Sequence, residues 1–164
     1  LLKKVKNLIV FCSLDGVDEV GEFVRYGFNQ EIFDRNLEAW RKFTEPRFSY
    51  TVHSMNIFNI EKTQQRYGDI DLQTLHSPKY LSPAILPDHI KDMILEHNSS
   101  DFVKNLLNSN DYDEEECKSF MCYVNFLKRR GQPPDECLKV FEQLYKLYPT
   151  VETYDLQLYG TQDL

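Results

Sequence analysis

The apolar and polar positions change rhythm near the proline-bounded stretch from Pro83 to Pro87. Before it, short apolar runs alternate with helical periodicity; after it, only helical periodicity remains. The first run, Leu8-Ile9-Val10-Phe11-Cys12, has the continuous apolar character of a buried strand. It predicts a strand over 6–14 that ends in Ser13-Leu14-Asp15-Gly16. A short helix is expected from Asp18 to Tyr26, closed by Gly27. Asn29 is placed to cap a helix through Phe43, with Phe33, Leu37 and Trp40 on one face and Pro46 beyond its end. Phe48, Tyr50 and Val52 alternate with Ser49, Thr51 and His53, which predicts a second strand over 48–55. A helix over 57–67, closed by Gly68, leads to a third, shorter strand carrying Ile70, Leu72 and Thr74.

The second stretch predicts helices alone. Pro87 suits the first turn of a helix whose inner stripe is Ile90, Met93, Ile94 and His97. Ser99 or Ser100 caps a short helix carrying Phe102, Val103, Leu106 and Leu107. Asp113 and Glu116 have the spacing of a capping box. They open a helix through Arg129 with Cys117, Phe120, Met121, Val124 and Leu127 inward and basic residues in its last turn. Pro134 starts a last helix with Cys137, Phe141, Leu144 and Tyr148 inward. Strands alternating with helices point to an α/β fold with parallel pairing. The expected organisation is an α/β region over 1–84, a helical region over 85–150 and an irregular tail over 151–164. Three parallel strands leave both sheet edges open, so this sheet is expected to be part of a larger one.

A chain of 164 residues holds one ordinary domain with a core. Its net charge of -7 argues against a nucleic-acid partner, which requires a basic patch. The basic clusters Leu1 to Lys6 and Lys128 to Arg130 are small and read as solvated element ends. No apolar run approaches the roughly 18 residues of a membrane span. No secretory signal pattern is found at the start, so a cytoplasmic protein with no membrane partner is expected. The first residue is Leu1, as in a processed or truncated product. Cys12, Cys117, Cys122 and Cys137 lack zinc-ligand spacing and read as buried free thiols.

Two groups of residues carry candidate chemistry. Ser13 and Asp15 stand at the carboxyl end of the first strand, where α/β folds bind ligands, and Gly16 lets the backbone turn close to one. The alternative is a plain turn built by Asp15 and Gly16. Thr51, His53 and Ser54 or Asn56 at the end of the second strand would converge on Ser13 and Asp15 if the two strands are parallel neighbours. His53 can equally be a half-buried structural histidine, and Asn56 a helix cap. Arg25 is spaced to return from the short helix and clamp a carboxylate, or to remain a solvated arginine; His76 could reach the same rim. Phosphate-loop, dinucleotide, nucleophile-elbow and zinc-protease motifs are absent from the sequence.

Four landmarks in order resemble the later part of a radical S-adenosylmethionine enzyme. They are Ser13-Leu14-Asp15-Gly16, Arg25 with Phe33-Asp34-Arg35-Asn36-Leu37, Thr51-Val52-His53-Ser54-Met55-Asn56, and Leu75-His76-Ser77-Pro78-Lys79-Tyr80-Leu81. The helices over 113–150 resemble those of members with a twitch-type iron–sulfur domain. The resemblance implies the last three strands of a partial (β/α)6 barrel followed by a helical C-terminal region. It implies S-adenosylmethionine and a [4Fe–4S] cluster as cofactors, with Ser13, Asp15, Arg25, Thr51, His53 and Asn56 lining the S-adenosylmethionine pocket. The CxxxCxxC motif that holds the cluster is missing from the sequence. The implied partner is therefore the N-terminal half of the barrel, in cis or in trans, and the chain alone is expected to be inert. Two other readings stay open: a non-catalytic module that binds a protein or nucleotide, and an unrelated enzyme using His53 or His76 in acid–base chemistry.

Overall fold

The computed structural model describes residues 7–151. The basic start (Leu1 to Lys6) and the tail over 152–164 lie outside the described residues. Three parallel strands, β1 (Phe11–Leu14), β2 (Arg47–Val52) and β3 (Ile70–Thr74), form one sheet in the order β1-β2-β3. Helices α1 (Asp18–Val24) and α2 (Gln30–Arg41) connect β1 to β2, and α3 (Ile60–Tyr67) connects β2 to β3. Then come α4 (Asp88–His97), α5 (Asp101–Leu107), α6 (Glu114–Leu127) and α7 (Asp135–Leu147). The chain is thus α/β, and no helix among the described residues is long and apolar enough to cross a membrane.

Strand register decides which side chains share a face. Cys12 pairs with Phe48 and Leu14 with Tyr50, while Phe48 pairs with Ile70 and Tyr50 with Leu72. These residues belong to or pack against the core, together with Phe33 and Leu37 of α2 and Ile60 and Tyr67 of α3. Tyr67 stacks on Phe48 with ring centroids 4.8 Å apart, and Phe33 meets Tyr67 edge-on at 5.8 Å. The connecting helices therefore cover the face that Phe48 presents. The other face, with Phe11, Ser13, Arg47, Ser49, Thr51, Asp71 and Gln73 in register, is open to solvent or half-buried.

That open face corrects the reading of the first strand. The strand is four residues long rather than nine, and the apolar side chains at and just before its start are not buried: Ile9 is 56% and Phe11 64% exposed. Among the described residues β1 is an edge strand with helices on one side, so alternate residues of an apolar run face water. Val10 accepts a hydrogen bond from the Arg47 amide at 2.9 Å. Because alternate residues of a parallel strand turn opposite ways, Phe11 and Ser13 direct their backbone groups away from β2.

Other boundaries shift by local causes. The expected helix from Asp18 to Tyr26 ends at Val24, and β2 ends at Val52, where the side chain of Asn56 takes the next amide. α6 stops at Leu127, and Lys128–Arg130 form a 3₁₀ turn before Gly131. Only half of the expected capping box forms. Asp113 accepts from the Glu116 amide at 3.2 Å, but its own amide donates to Ile85 at 3.1 Å, so the glutamate has no donor to return to. His97, expected inward, is exposed and rests its ring on Phe58 at 5.1 Å.

A single cluster of buried residues runs from Leu14 to Val151 and crosses the Pro83–Pro87 stretch. The helical half meets the sheet half at the segments that follow the strands. Lys139 of α7 lies over the Phe58 ring at 4.5 Å, and Tyr123 of α6 packs on Tyr80 at 5.4 Å. Those contacts put α6 and α7 beside the carboxyl ends of the sheet.

Candidate functional site

β1 ends at Leu14, and the chain then turns sharply through Asp15 to Asp18 into α1. Three amide side chains from distant positions satisfy the backbone of this turn. Asn56 donates to the Asp15 carbonyl at 3.1 Å, the Val17 amide donates to Asn59 at 2.8 Å, and the Asp18 amide donates to Gln30 at 2.8 Å. The turn leaves no space for side chains. Gly16 has φ +142°, and a Cβ there would stand 2.8 Å from Val20. One on Gly21 would stand 2.7 Å from the Gly16 carbonyl oxygen.

A polar network locks the outer side of the turn. Arg66 bridges Asp18 at 2.7 Å and Asp34 at 2.6 Å, while Tyr67 donates to Asp34 at 2.7 Å and Gln30 to Tyr67 at 2.6 Å. Burial works to raise the Asp34 carboxyl, but the hydrogen bonds from Tyr67, Arg66 and Gln30 outweigh it and hold it below the usual range. Asn59 extends the frame to the second half by donating to Glu136 of α7 at 2.8 Å.

Within this frame the six residues expected at the site separate into two groups. Ser13 and Thr51 stand on the open face of the sheet, with Ser49, Asp71 and Gln73 beside them in register. Arg25 follows the last turn of α1, beyond the helix expected to contain it, and donates to the Ser13 carbonyl at 3.0 Å. It also lies 3.5 Å from the carboxylate of Asp15 and remains 48% exposed at its side chain. Burial raises the Asp15 carboxyl, and the Arg25 charge offsets part of the rise. Ser13, Arg25, Tyr26, Gly27, Phe28 and Phe33 line one shallow depression at the outer edge of β1.

The structure places His53 and Asn56 beneath the strand ends instead, both buried. The Asn56 side chain accepts from the His53 amide at 2.8 Å and donates to the carbonyls of Thr51 at 2.9 Å and Asp15 at 3.1 Å. Its amide groups are spent, and it does not cap the helix that follows. His53 accepts from the Met55 amide at 3.3 Å, and burial lowers its pKa to about 3. A neutral imidazole without access to water is a poor acid–base group at ordinary pH. His76 is exposed beyond β3 and lines a different depression, with Lys79, Phe102 and Asp111.

The four cysteines are free, and burial raises every thiol, Cys117 and Cys137 to about 12. Among the described residues no group of three or more His, Cys, Asp or Glu is placed to hold a metal ion. The arrangement offers hydroxyls, an amide and a half-exposed guanidinium, which bind and orient a polar ligand. Asn59 and Gln30 were missed by sequence reasoning. Their partners lie 42 and 12 residues away, and no local pattern marks them. Comparison with protein-family models, curated proteins and solved structures gives no match.

Proposed function

We propose that the chain is the C-terminal part of a radical S-adenosylmethionine enzyme and lines its S-adenosylmethionine pocket. One observation carries the reading: connecting helices cover one face of the parallel sheet, and the other presents Ser13, Ser49, Thr51 and Gln73. An open parallel sheet is ordinarily covered on both faces. A barrel covers only its outer face and binds ligands at the carboxyl ends of its strands. On this reading β1 to β3 are the last strands of a partial (β/α)6 barrel, α4 to α7 form the helical C-terminal region, and α6 and α7 within it are the helices of a twitch-type domain.

The residues fit this cofactor in chemical kind. Ser13 and Thr51 have hydroxyls for the ribose. Arg25 has unspent donors for the methionine carboxylate, and Asp15 fixes its orientation. His53 and Asn56 hold the strand ends in register. The residues do not fit the cluster, since no CxxxCxxC motif is present. Its ligands therefore belong to the N-terminal half of the barrel, supplied in cis or in trans, and this chain alone does not turn over. Bound together and reduced by an external one-electron donor, the cluster and S-adenosylmethionine would supply radical chemistry that takes hydrogen from a substrate. The chain's part is to hold the cofactor and order the rim, in a cytoplasmic enzyme.

Anaerobic reconstitution of this chain with the half that bears the cysteine motif tests the proposal. Release of 5′-deoxyadenosine on reduction, lost when either half is omitted, is the expected result. A cluster-loaded assembly that leaves S-adenosylmethionine intact would overturn it.

A further inference from the structure

The same rim carries a cation whose surroundings the cofactor does not explain. Tyr123, Phe126 and Arg130 follow at spacings of three and four and share one flank of α6 and its terminal turn. The Arg130 guanidinium carbon lies 5.3 Å from the ring centroid of Phe126 and 5.3 Å from that of Tyr26. At the other end of the flank, Tyr123 packs on Tyr80, which follows β3. This flank therefore runs from the segment after β3 to the loop between α1 and α2. Tyr26 is 83% exposed and lines the depression shared by Ser13 and Arg25.

Cations in the last turn offset the helix dipole, which accounts for the charge of Lys128 to Arg130. It does not account for the contacts of Arg130. Among the described residues its exposed guanidinium has no carboxylate within ion-pair distance and no hydrogen-bond acceptor, and two rings flank it. A guanidinium held by rings keeps its in-plane N–H donors for a bidentate oxyanion. An exposed tyrosine beside it offers a face for a planar group.

We propose that Arg130, held by Tyr26 and Phe126, binds the anionic group of the substrate, a carboxylate or phosphate borne next to a planar apolar portion. Calling that ligand the substrate rests on the cofactor-pocket reading; the binding itself does not. Arg130 grips the oxyanion, Tyr26 covers the planar portion, and the ligand lies across the depression beside Ser13.

Nitrogen–proton NMR of the full 164-residue chain, with the arginine Nε–H groups assigned, tests this directly. The probes are benzoate, phenyl phosphate and, as the neutral control, benzamide. One of the anions should shift the Arg130 Nε–H and the Tyr26 amide, and benzamide should not; the stronger anion identifies the oxyanion. Arg130→Gln should weaken that binding about tenfold or more, the usual worth of hydrogen bonds to a charged group. Tyr26→Ala, at an exposed position, should weaken it without affecting folding. Equal shifts from benzamide, no shift from either anion, or unchanged binding by Arg130→Gln would overturn the proposal. The titration needs neither cofactor, so its failure leaves the cofactor reading untouched. Anion binding in an assembly that does not bind S-adenosylmethionine would retire the cofactor reading alone.

Discussion

Asn56 donates a hydrogen bond to the carbonyl of Asp15 at 3.1 Å and so ties the end of β1 to the turn that closes β2. The same amide nitrogen reaches the Thr51 carbonyl at 2.9 Å, and the side-chain oxygen takes the His53 amide at 2.8 Å. One buried side chain thereby sets the spacing of two strand ends. Asn56→Ala leaves those backbone groups without partners, and a loss of at least about 2 kcal/mol in chemical denaturation is expected. Asn56→Asp is near-isosteric but turns a carboxylate toward two carbonyl oxygens, so it should destabilise as much or more. A near-neutral result for both would mean the strand ends are held by something else.

The glycines give a graded test of the turn. Alanine at Gly16 or Gly21 meets atoms at 2.8 Å and 2.7 Å, and the Gly16 contact includes the backbone of the element that carries Arg25. Each should destabilise by more than about 1 kcal/mol and displace Arg25, measured by thermal unfolding and by the NMR signal of its Nε–H. Gly27→Ala has φ +80° but nothing within 4 Å, so only backbone strain of roughly 1 kcal/mol is expected and Arg25 should stay in place.

His53 makes stability depend on pH with a definite sign. Its folded pKa of about 3 lies below the ordinary value of 6.5, so between those values the unfolded chain binds the proton and the folded chain does not. Stability therefore falls as pH drops below about 6.5, with a slope approaching 1.4 kcal/mol per pH unit. His53→Asn keeps an acceptor for the Met55 amide and removes the titration. Its stability curve should be flatter between pH 6 and pH 4, about the window where the imidazole titrates. The raised Asp15 and the lowered Asp34 act in opposite senses and are common to both proteins. Parallel curves would show that the imidazole is hydrated in solution.

Phe11 tests whether the open face is meant to be covered. At 64% exposure it stabilises this chain little, so Phe11→Ser should change stability by no more than about 0.5 kcal/mol. It should nevertheless reduce self-association in light scattering and weaken assembly with the proposed N-terminal half. Unchanged assembly would mean the upstream strands do not reach this face.

Local signals made much of the fold legible. The alternation of Phe48, Tyr50 and Val52 gave β2 its buried face, and Asn29 caps α2 by accepting from Ile32 at 2.9 Å. The parallel neighbours that would bring Thr51 toward Ser13 are present. Ile9 and Phe11 misled, because apolar character states that a side chain prefers burial and not which chain provides it. Asn56 misled as well: its position suits a cap, yet its side chain bonds across 41 residues to Asp15. The Asn59 to Glu136 bond spans 77 residues, and no window of sequence contains both ends.

The most direct measurement is the affinity of S-adenosylmethionine for the reconstituted assembly, with and without Ser13→Ala and Arg25→Ala. Each variant should bind about tenfold more weakly, the loss of a hydrogen bond to a charged or polar ligand group, with the cluster absorbance unchanged. Wild-type affinity in both variants would contradict the assignment of this strand end as the cofactor pocket.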